Sequence, residues 1–338
     1  MAVSALRPAA TVPARAASPG AIEPEARDFE YPFPVRFFEL STQRQQLKMA
    51  YLDVAPSSPP RRTAVLLHGK NFSAAYWEST IHSLTEAGYR VIAPDQIGFG
   101  KSSKPERYQY SFAGLAENTR ALLDSLGVRA SVVIGHSMGG MLGVRYALGH
   151  SERVVKLVLV NPIGLEDYAA FVPFRPVDEV YRRELELTPD KIRKYQQENY
   201  FGGDWKPEYD ALIRLASGWT LHPDYARVAW ASALTYDMIF TQPVVHDLPR
   251  LSVPTLLVIG LRDRTALGRD FAPAGVREKL GNYPELGQRA RRAIPEAKLV
   301  EIQNAGHLPQ IEAFPAYSKA LLDFLGADPV VAETLPPD

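Results

Sequence analysis

The sequence predicts an α/β architecture: a mostly parallel sheet covered by helices on both faces, with a helical segment inserted into it. Three observations carry this. Short apolar runs alternate with helical periodicities up to Asn161-Pro162, the pattern of βαβ units whose strands are buried on both faces. The alternation then stops, and no comparable β run appears until Thr255. In between, prolines recur where helices start and aromatic residues are dense, which reads as a set of helices.

In chain order, residues 1–30 are rich in alanine and proline, including Pro8, Pro13, Pro19 and Pro24, and read as a flexible segment. Pro8 and Pro13 interrupt any signal-peptide apolar region, so the segment suits the start of a mature exported protein or a cytoplasmic tail equally, and the compartment stays open. Phe37–Leu40 and Leu47–Val54 read as antiparallel strands joined by a polar turn. Ala64–Leu67, Arg90–Ala93, Ser131–Ile134 and Val155–Val160 are strands, separated by helices over Ala74–Ala87, Phe112–Leu126 and Met138–Leu148. Residues 163–247 then hold four helices, Pro176–Leu187, Pro189–Phe201, Pro207–Trp219 and Pro223–Phe240, and are expected to form a cap. The strands Thr255–Ile259 and Lys298–Ile302, a largely helical Val276–Ile294 and a closing helix Pro315–Leu325 complete the fold. The division expected is therefore a core of 31–162 and 248–338 with the cap at 163–247.

Composition excludes several classes. The 338 residues carry 38 basic and 38 acidic side chains, which removes the broad positive footprint of a nucleic-acid binder. There is no cysteine, so thiolate metal sites, iron–sulfur clusters and cysteine nucleophiles are out. No apolar run approaches the length of a transmembrane helix. The histidines show no metal-ligand spacing, and no cofactor or metal is expected. Gly98-Phe99-Gly100-Lys101-Ser102 imitates the end of a P-loop, but Asp95 stands where the first glycine is required. It reads as a turn whose backbone amides bond Asp95. The oligomeric state is not readable.

One motif carries chemistry. Gly135-His136-Ser137-Met138-Gly139 lies between a strand and a helix. A sharp turn there presents a serine hydroxyl above the sheet edge, and the flanking glycines let strand and helix approach. Serine is a poor nucleophile without a base and a carboxylate to orient that base. Asp263 follows the strand Thr255–Ile259, and His307 follows Lys298–Ile302, in the order Ser137, Asp263, His307. Asp270 is the alternative acid, seven residues further along. A developing oxyanion needs donors. The amide of Met138 is one, and the amide of Lys70, in His68-Gly69-Lys70-Asn71-Phe72, is the other, with the Lys70 side chain free to be solvated. His136 reads as packing.

These motifs, with Ala93-Pro94-Asp95-Gln96-Ile97-Gly98-Phe99-Gly100 and Ala305-Gly306-His307, resemble a capped α/β-hydrolase over roughly residues 37–326. The resemblance implies an eight-stranded, mostly parallel sheet and a catalytic triad of Ser137, Asp263 and His307. The function expected is a serine esterase acting on a small-molecule carboxylic ester with an apolar or aromatic part. Haloalkane dehalogenases and epoxide hydrolases resemble this fold but use aspartate at the position of Ser137. Proline iminopeptidases differ at both the oxyanion loop and the elbow. Carbon–carbon bond hydrolases of ring-cleavage products usually have asparagine and tryptophan where this chain has His136 and Leu308, yet they remain the alternative. Lactonase, thioesterase and perhydrolase activities share the machinery. A non-catalytic small-molecule receptor that keeps the triad is the alternative of another class.

Overall fold

The structure is a computed structural model and describes residues 18–326. Eight strands form one sheet: β1 Val35–Thr42, β2 Gln45–Val54, β3 Arg62–Leu67, β4 Tyr89–Pro94, β5 Ser131–His136, β6 Val154–Val160, β7 Thr255–Gly260 and β8 Lys298–Ile302. Their order is β1-β2-β4-β3-β5-β6-β7-β8. β2 pairs antiparallel with β1 and with β4, and all later pairings are parallel.

The uninterrupted apolar runs of the central strands reflect burial on both faces. Val65, Leu67, Val133, Leu157, Leu159, Leu257 and Ile259 join one core layer, while Ala64, Leu66, Val132, Ile134, Val158, Leu256 and Val258 join the other. Successive side chains point to opposite faces, so neighbours in sequence feed different layers. The first layer is covered by α2 Phe112–Ser125, α3 Met138–Gly149 and α9 Tyr283–Ala293, the second by α1 Glu78–Glu86 and α10 Phe314–Leu325. Each large side chain so buried contributes about 1.5–3 kcal/mol before entropy is counted.

Between β6 and β7 lie α4 Val177–Leu185, α5 Pro189–Asn199, α6 Asp210–Thr220 and α7 Tyr225–Thr241. The prolines act as expected: Pro189 opens α5 beside its N-cap Thr188, whose hydroxyl accepts from the Lys191 amide. The insertion meets the core through a cluster of Phe72, Tyr200, Phe201, Tyr209 and Leu308.

One expectation is refined and one needs correction. The stretch Val276–Ile294 is split into α8 Ala274–Arg277 and α9. Gly281 between them has a φ of +68°, and a Cβ there would lie 2.7 Å from the Arg264 carbonyl oxygen. Its amide donates to the buried Glu166 at 3.0 Å, so the chain turns where a continuous helix would have collided with the loop after β7. The second concerns the flexible segment at 1–30. Residues 1–17 lie outside the described residues, whereas residues 18–31 are laid against both the insertion and the core. Ile22 donates its amide to Gly218 O at 2.9 Å, Trp219 donates to Glu23 O, Glu25 pairs with Arg227, and Tyr31 donates to Asp95. Among the described residues no helix is long and apolar enough to cross a membrane.

Candidate active site

The turn from β5 into α3 places Ser137 at φ 56° and ψ −120°, a conformation that costs a non-glycine residue about 1–3 kcal/mol. The surroundings force it. A Cβ on Gly135 would lie 2.1 Å from Gly139 O, and one on Gly139 would lie 2.0 Å from Leu67 O. Strand and helix therefore cross backbone to backbone at this point. The Ser137 amide donates to Val160 O, and its carbonyl accepts from the amides of Gly140 and Ile163, which ties the turn to β6.

Asp263 and His307 come together from the loops after β7 and β8. His307 Nδ1 lies 2.7 Å from Asp263 Oδ2, and both residues are fully buried. The other contacts of Asp263 fix its orientation. Oδ1 accepts from the Thr265 amide at 2.8 Å, and Oδ2 also accepts from Asn161 Nδ2 at 2.8 Å. Asn161 is itself locked, because its Oδ1 accepts from the Gly260 amide. With Nδ1–H given to the carboxylate, Nε2 carries the imidazole lone pair. Nε2 is buried and has no hydrogen-bond partner among the described residues. Asp270 belongs to a short turn over Arg269–Phe271, and no described hydrogen bond joins it to His307.

His136 connects the loops around Ser137. Tyr76 accepts from the Gly69 amide at 3.3 Å and donates its own proton to His136 Nδ1 at 2.9 Å. His136 Nε2–H then donates to the His307 carbonyl at 2.8 Å. Burial, with His307 beside it, pushes the His136 imidazole well below the ordinary histidine range, so the ring is neutral and its tautomer is set by these partners. Its centroid lies 4.7 Å from that of His307. In the neighbouring loop His68 has a similar role: it donates to Gly69 O, accepts from the Gln96 amide and is held below its ordinary range by burial.

Neither the Lys70 amide nor the Met138 amide donates in any described hydrogen bond. The Lys70 side chain, expected in solvent, instead reaches the insertion: Nζ donates to Ser232 on α7 at 2.5 Å and lies 3.5 Å from Glu184 on α4. Lys70 and Asn71 contribute to the wall of a cavity of about 300 Å3, with Trp219, Tyr225, Tyr236 and Phe271. Ser137 and His307 do not line it. Asp95 is buried as expected in a turn, accepting from the amides of Ala74 and Lys101.

Residues 64–320 match the Alpha/beta hydrolase family. The chain belongs to that family. It is a hydrolase, similar in sequence and structure to several others. A probable hydrolytic enzyme from Pseudomonas aeruginosa PAO1 is 54% identical, with a TM-score of 0.89 over 91% of this chain and 100% of that one. A haloalkane dehalogenase of Mycobacterium marinum is 30% identical over 72% of this chain and 82% of the relative. A 2-hydroxy-6-oxononadienedioate/2-hydroxy-6-oxononatrienedioate hydrolase of Paraburkholderia phymatum is 28% identical over 83% of this chain and 92% of the relative.

Within this alpha/beta hydrolase, four residues that support the site carried little signal in the sequence. Asn161 was visible only as the end of an apolar run before proline, yet it takes a φ of +36°, which asparagine tolerates better than most side chains. Glu312 accepts from the amides of Gly306 and Leu308 at 2.8 and 3.3 Å and pairs with Arg262, clamping the loop that carries His307. Burial pushes its carboxyl above the ordinary range. Asn71 and Tyr200 meet across 129 positions of sequence at 2.7 Å. No local pattern announces such a pair.

Proposed function

We propose that this hydrolase cleaves carboxylic esters through an acyl-enzyme on Ser137, and that residues 163–247 act as a cap over the site. The observation that carries this reading is the Asp263–His307 pair. It leaves a buried imidazole lone pair without a partner next to His136, the residue preceding Ser137. A base in that state is what a serine hydroxyl needs to become a nucleophile.

The steps follow. Ser137 Oγ attacks the ester carbonyl while His307 Nε2 takes its proton. The Met138 and Lys70 amides hold the oxyanion, each donor being worth about 10²–10³ in rate. Collapse expels the alcohol, which receives the proton from His307. Water, deprotonated by the same nitrogen, attacks the acyl-enzyme, and Ser137 is restored when its leaving oxygen regains the proton. Asp263, oriented by Asn161, holds the imidazole in the required tautomer throughout. Trp219, Tyr225 and Phe271 in the cavity wall suit a small substrate with an apolar or aromatic part. Ser137 stands against dehalogenation, for which the fold uses aspartate.

A second reading, carbon–carbon bond hydrolysis, is favoured by the likeness to the Paraburkholderia phymatum relative, which aligns over most of both chains. One assay addresses both: p-nitrophenyl acetate and butyrate and a vinylogous 1,5-diketone, each with the wild type and Ser137→Ala. Ester turnover that falls at least ~10³-fold in the variant supports the esterase. Faster turnover of the diketone moves the assignment to the second reading. A variant that keeps wild-type ester turnover removes both.

A further inference from the structure

Tyr200, at the end of α5, touches both loops that the mechanism uses. Its hydroxyl accepts from Asn71 Nδ2 at 2.7 Å, next to the Lys70 amide assigned to the oxyanion. Its carbonyl accepts the amide of His307 at 2.8 Å. Its ring lies on the His307 ring, with centroids 4.5 Å apart and planes at 32°. The fit is close: a Cβ on Gly306 would lie 1.9 Å from the Tyr200 carbonyl oxygen. The segment around it is fastened to the core as well. The Arg264 amide donates to Asn199 O, and Arg262 bridges Asp204 to Glu312. Tyr200 is 4% exposed, so these contacts are made away from water, where a hydrogen bond is most directional and its loss is not replaced by solvent.

We infer that Tyr200 is a positioning residue through which the helical insertion sets the distance between the oxyanion turn and His307. The hydroxyl bond fixes Asn71, and with it the adjacent amide of Lys70. The carbonyl bond and the ring fix the backbone and imidazole of His307. The insertion thus shapes the geometry of the chemical step as well as enclosing the substrate. Displacing either loop by about 1 Å costs up to ~10²-fold in rate. The inference rests on the proposed acyl-enzyme mechanism.

The test is a double-mutant cycle of Tyr200→Phe and Asn71→Ala. It reads the rate of phosphonylation by a fluorophosphonate probe, kcat and KM for p-nitrophenyl acetate, and the melting temperature. Tyr200→Phe keeps the ring on His307 and the backbone bond, and removes the hydroxyl with its contacts to Asn71 and Tyr195. Each single variant is expected to lower the phosphonylation rate and kcat about tenfold with KM nearly unchanged. The double variant is expected to be no slower than the slower single. Asn71→Leu, which removes both the donor and the acceptor while nearly keeping the side-chain size, should behave like Asn71→Ala. Wild-type rates in Tyr200→Phe, or losses that multiply in the double variant, overturn the inference. So do losses in kcat that scale with melting temperature, since they would reflect stability alone. A wild type that does not react with the probe overturns the mechanism, and the inference with it. A wild type that reacts, with an unchanged Tyr200→Phe, overturns the inference alone.

Discussion

The groups that orient Asp263 and His307 from the sheet side are each held by two or three hydrogen bonds, whereas two polar groups that the insertion turns toward the cavity are held by none among the described residues. Asp263 receives three hydrogen bonds, both His136 nitrogens are engaged, and Glu312 holds two amides and a guanidinium. Toward the cavity, by contrast, the Gln196 amide and the Tyr236 hydroxyl are buried with no partner among the described residues. The difference separates two tasks. In the proposed mechanism the sheet side fixes geometry before substrate arrives, as electrostatic stabilisation of a transition state requires. The insertion side keeps unsatisfied polar groups beside an aromatic wall, which suits recognition of a substrate's shape and polarity.

Four changes break or sharpen this contrast. The largest effect is expected from Asp263→Asn, which keeps the shape of the side chain but lets His307 take the wrong tautomer. kcat should fall by about 10³–10⁴, and the melting temperature should fall too, because the new amide would turn a donor toward Asn161 Nδ2. Asn161→Ala removes one of the three bonds to Asp263 and leaves the Gly260 amide unpaired. kcat is expected to drop roughly ten- to hundredfold, with a stability loss of about 1–3 kcal/mol read from denaturant midpoints.

The third concerns pH. His136 and His68 have imidazoles depressed by burial, so below about pH 6.5 the unfolded chain binds protons that the folded one does not. Their contribution is fully present above that pH and is lost as pH falls through the depressed folded-state values. Each should add about 1 kcal/mol per pH unit to the slope of stability on the acid side. Unfolding midpoints measured between pH 7.5 and 5 should be less steep in His136→Gln than in the wild type, and equal slopes would count against a neutral His136. The smallest effect is expected on the insertion side. Gln196→Leu replaces an unpartnered buried amide with an apolar side chain and should stabilise the protein by about 1 kcal/mol, with kcat for p-nitrophenyl acetate within a few-fold of wild type. A loss of stability would show that the amide is satisfied in solution.

Much of the fold was written in local pattern. Alternating burial gives the central strands continuous apolar runs, and the elbow glycines are spaced by a backbone crossing only they allow, so the sheet and the three residues Ser137, Asp263 and His307 stood out. What stayed hidden depends on contacts between distant segments. Asn161 reaches Asp263 across 102 positions, and Tyr200 reaches Asn71 across 129. The break at Gly281 answers to Glu166 and Arg264, which only the folded chain brings near it. The Lys70 side chain looked like solvent-exposed charge because its partners, Ser232 and Glu184, come from helices whose packing no periodicity specifies. Residues 18–30 looked flexible because their proline and alanine content hides Ile22 and Glu25, which find partners only once the insertion and core are in place.

The most direct measurement is rapid acid quench of the wild type with p-nitrophenyl acetate, followed by intact and peptide mass analysis. An acetyl group on the peptide containing Ser137, formed before steady state and absent from Asp263→Asn on the same timescale, is the expected result. Steady turnover of the ester with no acyl adduct at Ser137, or with the adduct at another residue, would contradict it.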